Sequence, residues 1–355
     1  MLSRISVRGV VLVFLAVTWP VSLLAQASSA NGDTKKSVGS KDKPASKHPG
    51  RPPIEGSMVG YLDNAVVGSE LRVRFDAALG DTQPDLAESF QAQAGYDGGT
   101  AAGPKPGLAT KLNFQQLYLR GEYAPRKFFS VMLELPLRAI QPVAFDPNTV
   151  TNGHYGDQSG PSDISAGFKL AALASDRQYV TFQVVSTFPT GDPTKGLGTD
   201  HYTVAPALLY YQKLTDNLSL ESEISDSHPI SGDTPGFAGE VMRYGAGPSY
   251  VMFQNDKVKI APVLEFVAWR IFGGNWSNPC LIDPALLVPC TNPPDKPPTK
   301  TSLDTADGAN IVNLKGGFRT SIGNDASVYV GYGHVLTNAN LWYHEIFRIE
   351  YRRTF

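Results

Sequence analysis

Polar and apolar side chains alternate along most of this chain, so that every second residue of a segment is apolar. The clearest case is the segment from Leu71 to Leu79, which reads Leu-Arg-Val-Arg-Phe-Asp-Ala-Ala-Leu. Neighbouring side chains of a β-strand point to opposite faces, so this spacing predicts a strand with one apolar and one charged face. The spacing of amphipathic helices, with an apolar residue at every third or fourth position, is almost absent.

Twelve such segments follow one another, and the connections between them alternate in length. The short connections lie near 124–127, 173–177, 213–217, 254–256 and 321–325, and the long ones near 80–110, 141–160, 189–200, 226–238, 273–306 and 336–340. Barrels of the outer membrane have short turns on one rim and long loops on the other. The sequence therefore predicts an all-β fold, a closed antiparallel transmembrane β-barrel of about twelve strands.

Two points stay open at this stage. A soluble β-sandwich or propeller would show the same alternation, because its polar faces would be solvated. The segment from Tyr202 to Tyr211 is apolar on both faces, so its register is uncertain.

The N-terminal region predicts export from the cytoplasm. A basic start, an apolar run and the small-residue pattern Ala25-Gln26-Ala27 predict a signal peptide over residues 1–27. Residues 28–56 are rich in Ser, Lys, Pro and Gly, which predicts a disordered periplasmic tail, and residues 57–355 remain for the barrel. No apolar run of about 18 residues follows the signal, so we expect no helical membrane span.

The C-terminal strand and the charge balance indicate the partners. The last strand alternates and ends in Phe355, and it resembles the signal that the barrel assembly machinery of the outer membrane reads. The expected location is therefore the Gram-negative outer membrane, with its lipid as the surroundings. The formal net charge is -2, which gives no indication of a nucleic-acid partner. Cys280 and Cys290 lie close together in the largest connection, and we expect them to form a disulfide.

The charged faces of the strands are the candidate functional surface, a solute path along the barrel lumen. The predicted lumen-lining residues are Arg72, Arg74, Asp76, Arg120, Glu122, Glu134, Arg138, Glu221, Glu223, Arg243, Glu265, Lys315, Arg319, Arg348, Glu350 and Arg352. Buried charges must be paired or hydrated. Two interpretations follow: a salt-bridged interior with a structural role, or a narrow water-filled passage, which the intermediate strand number favours.

One local motif carries a family resemblance. Phe188-Pro189-Thr190-Gly191-Asp192 is followed by Gly196-Leu197-Gly198-Thr199-Asp200, and the turn chemistry predicts a hairpin loop. The motif resembles the putative outer-membrane transporters named for the MetA pathway of phenol degradation, most clearly from about 163 to 250. The resemblance implies an outer-membrane barrel that passes small, often aromatic, solutes. A structural or adhesive surface barrel with a blocked lumen is the alternative.

Enzyme motifs are not found in the sequence. The spacing of zinc ligands, a phosphate loop and a nucleophile elbow are missing. A twelve-stranded phospholipase of the outer membrane has a histidine followed two residues later by serine, and no such pair occurs in this sequence. We therefore expect a protein that is not an enzyme and that uses no cofactor or metal.

A short apolar stretch precedes the first strand. The residues from Gly60 to Gly68 are too apolar for a free linker. They are expected either to enter the barrel, where Asp63 would meet an inward arginine such as Arg72 or Arg352, or to lie along the rim.

Overall fold

The computed structural model describes residues 62–81, 109–145, 156–199, 201–232, 239–277, 303–305, 307–337 and 343–355. The predicted signal peptide, the predicted tail and the predicted Cys280–Cys290 disulfide lie outside these residues and stay predictions. No helix in the described part of the chain is long and apolar enough to cross a membrane.

The described residues form sixteen β-strands. In chain order they are β1 (Glu70–Asp81), β2 (Ala109–Arg126), β3 (Phe129–Phe145), β4 (Gln158–Pro161), β5 (Ile164–Ala174), β6 (Gln178–Phe188), β7 (His201–Lys213), β8 (Leu218–Gly232), β9 (Glu240–Tyr250), β10 (Phe253–Gln254), β11 (Val258–Phe272), β12 (Asn275–Ser277), β13 (Leu303–Thr305), β14 (Asn310–Ile322), β15 (Ala326–Thr337) and β16 (Glu345–Thr354). β4 and β5 both pair with β3 and count as one wall strand, and β10 is a short addition to β11. β12 and β13 form a separate two-stranded ribbon.

The twelve wall strands close into an antiparallel barrel, which confirms the predicted fold class. β1 pairs with β2 on one side and with β16 on the other, and β9 pairs with β11, so the ladder returns to its start. A closed ladder leaves no strand edge unpaired, as a structure surrounded by lipid requires. The sandwich and propeller alternatives are therefore wrong.

The outer face of the wall is apolar and exposed. On β3, the side chains of Val131, Leu133, Leu135 and Leu137 are between 41% and 48% exposed. The intervening residues of β3, such as Glu134 and Arg138, point into the barrel. A continuous apolar surface of this kind fits a lipid environment.

The register of β7 follows from what lies inside the barrel. Leu208 points outward and is half exposed, whereas Leu209 and Tyr211 are fully buried. The inward residues of this strand pack against Ala65, Val66 and Val67. Both faces of β7 are apolar because one meets lipid and the other meets this N-terminal segment.

Residues 62–69, which we call the lumen segment, run inside the barrel from the long-loop half to the short-turn rim. Leu62 packs against Trp269 and Ile271, which lie near the long-loop end of β11. At the other end, the carbonyl of Ser69 accepts a hydrogen bond from the Phe355 amide, beside the short turns. Of the two expectations for this stretch, the structure shows the one that enters the barrel.

Candidate functional site: the barrel lumen

The structure places all sixteen predicted residues inside the barrel. Arg72, Asp76, Arg120, Glu122, Glu221, Glu223, Glu265, Lys315, Arg319, Arg348, Glu350 and Arg352 are buried. The other four, which are Arg74, Glu134, Arg138 and Arg243, are partly buried and line an internal cavity. Their common face follows from the two-residue period of each strand. Their role in a solute path stays a prediction.

Asp63 is the charged anchor of the lumen segment. Its Oδ1 lies 3.4 Å from Nη1 of Arg120, and its Oδ2 lies 3.1 Å from Nη2 of Arg243. Gln183 donates a hydrogen bond to Oδ2 over 2.8 Å, and the Asp63 amide donates to Oε2 of Glu223 over 2.6 Å. Arg243 also donates to Glu223, so these two wall residues hold each other as well as Asp63.

The partners expected for Asp63 were wrong. Arg72 and Arg352 instead join Glu70 and Glu350 in a network near the short-turn rim. Glu70, the first residue of β1, directly follows the end of the lumen segment opposite to Asp63. Arg72 lies directly opposite Arg120 in the β1–β2 ladder, so its pairing with Glu70 and Glu350, and not its height in the barrel, separates it from Asp63.

Further ion pairs lie on the inner face of the wall. Nζ of the fully buried Lys169 donates to Oε2 of Glu122 over 2.8 Å, and Oγ of Ser130 donates to Oε1 over 2.6 Å. Arg348 donates two hydrogen bonds of 2.6 Å to the two oxygens of Asp76. Because the Lys169–Glu122 pair and large side chains such as Tyr211 occupy the short-turn half, this half is packed.

The long-loop half contains a cavity of about 250 Å³. Leu62 and Asp63 of the lumen segment lie along one side of it. Six arginines and four carboxylates are among its lining residues, which are Arg72, Arg74, Arg120, Arg138, Arg243 and Arg348, and Asp63, Asp76, Glu134 and Asp163. Arginines therefore outnumber carboxylates among the lining residues, and some of them, such as Arg72 and Arg243, are also paired with carboxylates outside the lining.

Two of these arginines lie over aromatic rings. The guanidinium carbon of Arg74 lies 3.7 Å from the ring centroid of Tyr118, and that of Arg138 lies 5.4 Å from the centroid of Phe114. Both rings belong to β2 and line the cavity. An arginine on an aromatic face keeps its hydrogen-bond donors available at the edge of the guanidinium plane. Such a surface can meet an aromatic ring and an anionic group together.

The β6–β7 loop folds inward and closes part of the long-loop mouth. Leu197 is buried against Leu112 and Ile140, which are inward residues of β2 and β3. Asp163 holds the loop by accepting hydrogen bonds from the Gly191 amide over 2.9 Å and the Thr199 amide over 2.7 Å.

The glycine of the Pro-Thr-Gly turn permits this fold of the loop. A Cβ atom on Gly191 would lie 2.3 Å from the Leu197 carbonyl oxygen, so another residue there would push the loop apart. The motif that the sequence marked as a hairpin loop therefore narrows the lumen.

Sequence reasoning missed several contributors to the lumen, among them two that hold the inserted segments. Gln183 and Asp163 line the cavity and hold the inserted segments, but neither was a predicted site residue. Gln183 follows the same inward period as Thr181, and this could have identified it. Asp163 precedes its strand, and its role depends on where a distant loop folds.

The fold is similar to that of the COG4313 outer membrane channel from Pseudomonas putida F1. The TM-score is 0.51 and the sequence identity is 15%, with 85% of this chain and 99% of that chain covered. The NanC porin has a TM-score of 0.39 at 10% identity, covering 81% of this chain and 100% of that one. LpxR from Salmonella typhimurium has a TM-score of 0.40 at 9% identity, covering 81% of this chain and 100% of that one. No protein-family model and no curated protein matches the sequence.

Proposed function

We propose that this protein is a channel of the Gram-negative outer membrane that binds and passes small solutes. Aromatic compounds, above all those that carry a carboxylate, are the preferred class. The closed barrel and its apolar outer face support the location, and the barrel assembly machinery is the partner that would read the C-terminal strand. The resemblance to the transporters named for the MetA pathway of phenol degradation agrees with an aromatic solute. In this proposal the protein moves its solute without changing it chemically, so it is not an enzyme.

The observation that carries this proposal is the cavity in the long-loop half. A cavity of about 150 Å³ can hold benzene, so about 250 Å³ accommodates a single ring with substituents. The arginines at its wall attract an anionic group, and the rings of Phe114 and Tyr118 offer stacking surfaces. We expect the sixteen predicted lumen residues to set this preference by their summed charge.

Uptake of labelled benzoate tests the proposal. The assay uses a strain that lacks this protein and carries plasmids for the wild-type protein or for Y118A. Removing one aromatic stacking surface costs about 1–3 kcal/mol, so we expect uptake at low benzoate concentration to fall by about fivefold or more in Y118A. Tyr250 is an outward-facing tyrosine at the short-turn end of β9, so Y250A is the matched control and should behave like the wild-type protein.

Two outcomes would overturn the proposed function. One is equal benzoate uptake with and without the protein, provided that heat-modifiability on gels shows a folded barrel. The other is an equal loss of uptake in Y118A and Y250A, because uptake would then not depend on the cavity.

The packed short-turn half favours a second hypothesis, a structural or adhesive barrel with a blocked lumen. The lumen segment and the ion pairs around it fill the short-turn half of the lumen in this structure. Benzoate uptake by the wild-type protein distinguishes the two hypotheses, because only a channel takes up the solute. Ion conductance gained in planar bilayers when residues 62–68 are removed shows only that this segment blocks the lumen.

A further inference from the structure

A cluster of possible metal ligands lies on the outer face of the barrel, away from the lumen. Asp226 and His228 are two residues apart on β8, and Glu240 is the first residue of β9. Ser225 and Ser227 line the internal cavity, so the alternate residues Asp226 and His228 point outward. All three side chains are partly exposed, with side-chain exposures between 37% and 45%.

The surroundings of the cluster are apolar. Ile224 and Tyr244 form a cross-strand pair on the same outward face, nearer the short-turn rim, and both are exposed. Ile230 follows on the other side and is 64% exposed. A histidine and two carboxylates beside such residues need a compensating interaction, because unpaired charge next to an apolar phase is costly.

The contacts within the cluster bring the ligand atoms together. Nε2 of His228 lies 2.9 Å from Oδ2 of Asp226, and Nδ1 lies 3.4 Å from Oε2 of Glu240. One ligand atom from each residue lies within 4.8 Å of the others. Oδ1 of Asp226 is buried and has no hydrogen-bond partner. The cluster thus has an oxygen atom available for a further ligand.

We infer that Asp226, His228 and Glu240 form a site for a divalent transition-metal cation, with Zn²⁺ the best match. One imidazole and two carboxylates are a ligand set that Zn²⁺ accepts, at about 2.0–2.2 Å from each atom. Tetrahedral ligands at that distance are about 3.4 Å apart, so closing around the ion requires side-chain movements of roughly 1–2 Å. A bound cation neutralises the two carboxylates and leaves a coordination position open to the outside.

Metal-binding stoichiometry tests the site. The purified full-length barrel, without a histidine tag, is dialysed in detergent against Zn²⁺, and the bound metal is counted by atomic absorption. The variants are H228Q and the double variant D226N/E240Q. His334 is an outward-facing histidine near the long-loop end of β15, so H334Q is the matched control.

We expect the wild-type protein and H334Q to bind one equivalent of Zn²⁺ more than H228Q and D226N/E240Q. Co²⁺ should give a visible absorption band in the first pair that is lost in the second pair. Equal binding by all four folded proteins would overturn the inference, because the three side chains would then contact one another without holding a metal ion. Heat-modifiability on gels shows whether each variant is folded, so that a loss of metal binding through unfolding is recognised.

Discussion

Replacing Asp63 with asparagine should release the lumen segment while the barrel stays folded. The change keeps the size of the side chain and the amide hydrogen bond to Glu223, but it removes the charge that faces Arg120 and Arg243. Breaking a buried ion pair by removing one partner costs about 3–5 kcal/mol. Because the Asp63 side chain is 20% exposed, we take the lower end, about 3 kcal/mol.

This free energy sets the size of the expected effect. Each 1.36 kcal/mol changes an equilibrium by tenfold, so the ratio of released to seated segment should rise by about a hundredfold. The apolar contacts of Leu62, Val66 and Val67 remain and oppose full release. We therefore expect D63N channels in planar bilayers to open about a hundred times more often than the wild-type protein, with the conductance of the variant that lacks residues 62–68.

The matched control is D216N, which removes a carboxylate from an exposed ion pair with Arg177 on a short turn. It should leave the open probability unchanged, because exposed pairs contribute at most about 1 kcal/mol. Unchanged open probability in D63N, together with opening on deletion of residues 62–68, would refute the role of the charge.

Three further outcomes can be checked. K169M should lower the free energy of unfolding in urea by about 3 kcal/mol, because it removes the nearest cation of the buried Glu122 and leaves only Arg120, at 3.9 Å; if K169M/E122Q does not recover part of this loss, the pair is not the cause. D163A should make the β6–β7 loop at least tenfold more sensitive to protease on intact cells, because each hydrogen bond to a charged acceptor contributes about 1.5–3 kcal/mol; unchanged cleavage would show that other contacts hold the loop. Cys280 and Cys290 should react with maleimide only after reduction, and labelling of both in the non-reduced protein would contradict the predicted disulfide.

The structure also changes one assignment made from the sequence. The connection predicted to begin near 226 belongs to the wall, because β8 extends to Gly232. Pro229 made a loop the natural expectation, since proline cannot donate to a strand ladder. Here Pro229 pairs with Thr203 next to a shift in register between β7 and β8, which is where a ladder tolerates proline. This extension places Asp226 and His228 on the outer face.

The wall strands, their inward faces and the alternation of short turns and long loops could be predicted from the sequence alone. These properties are local, because a two-residue period assigns each side chain to a face without reference to any other strand. For this reason all sixteen predicted residues lie on the inward side. The closed fold followed as well, since an apolar outer face and paired strand edges are compatible with few other architectures.

The pairing of the inward charges and the contents of the lumen could be learned only from the three-dimensional structure. Asp63 contacts Arg120 and Arg243, which are 57 and 180 residues away in the chain. Such a contact depends on barrel closure, strand register and the height of each residue above the rim together. The inward fold of the β6–β7 loop onto Asp163 depends on the same three quantities. A two-residue period predicts which face of the sheet a side chain points to, but it does not predict the position of that side chain along the barrel axis. The partners across the lumen could therefore not be predicted from this pattern.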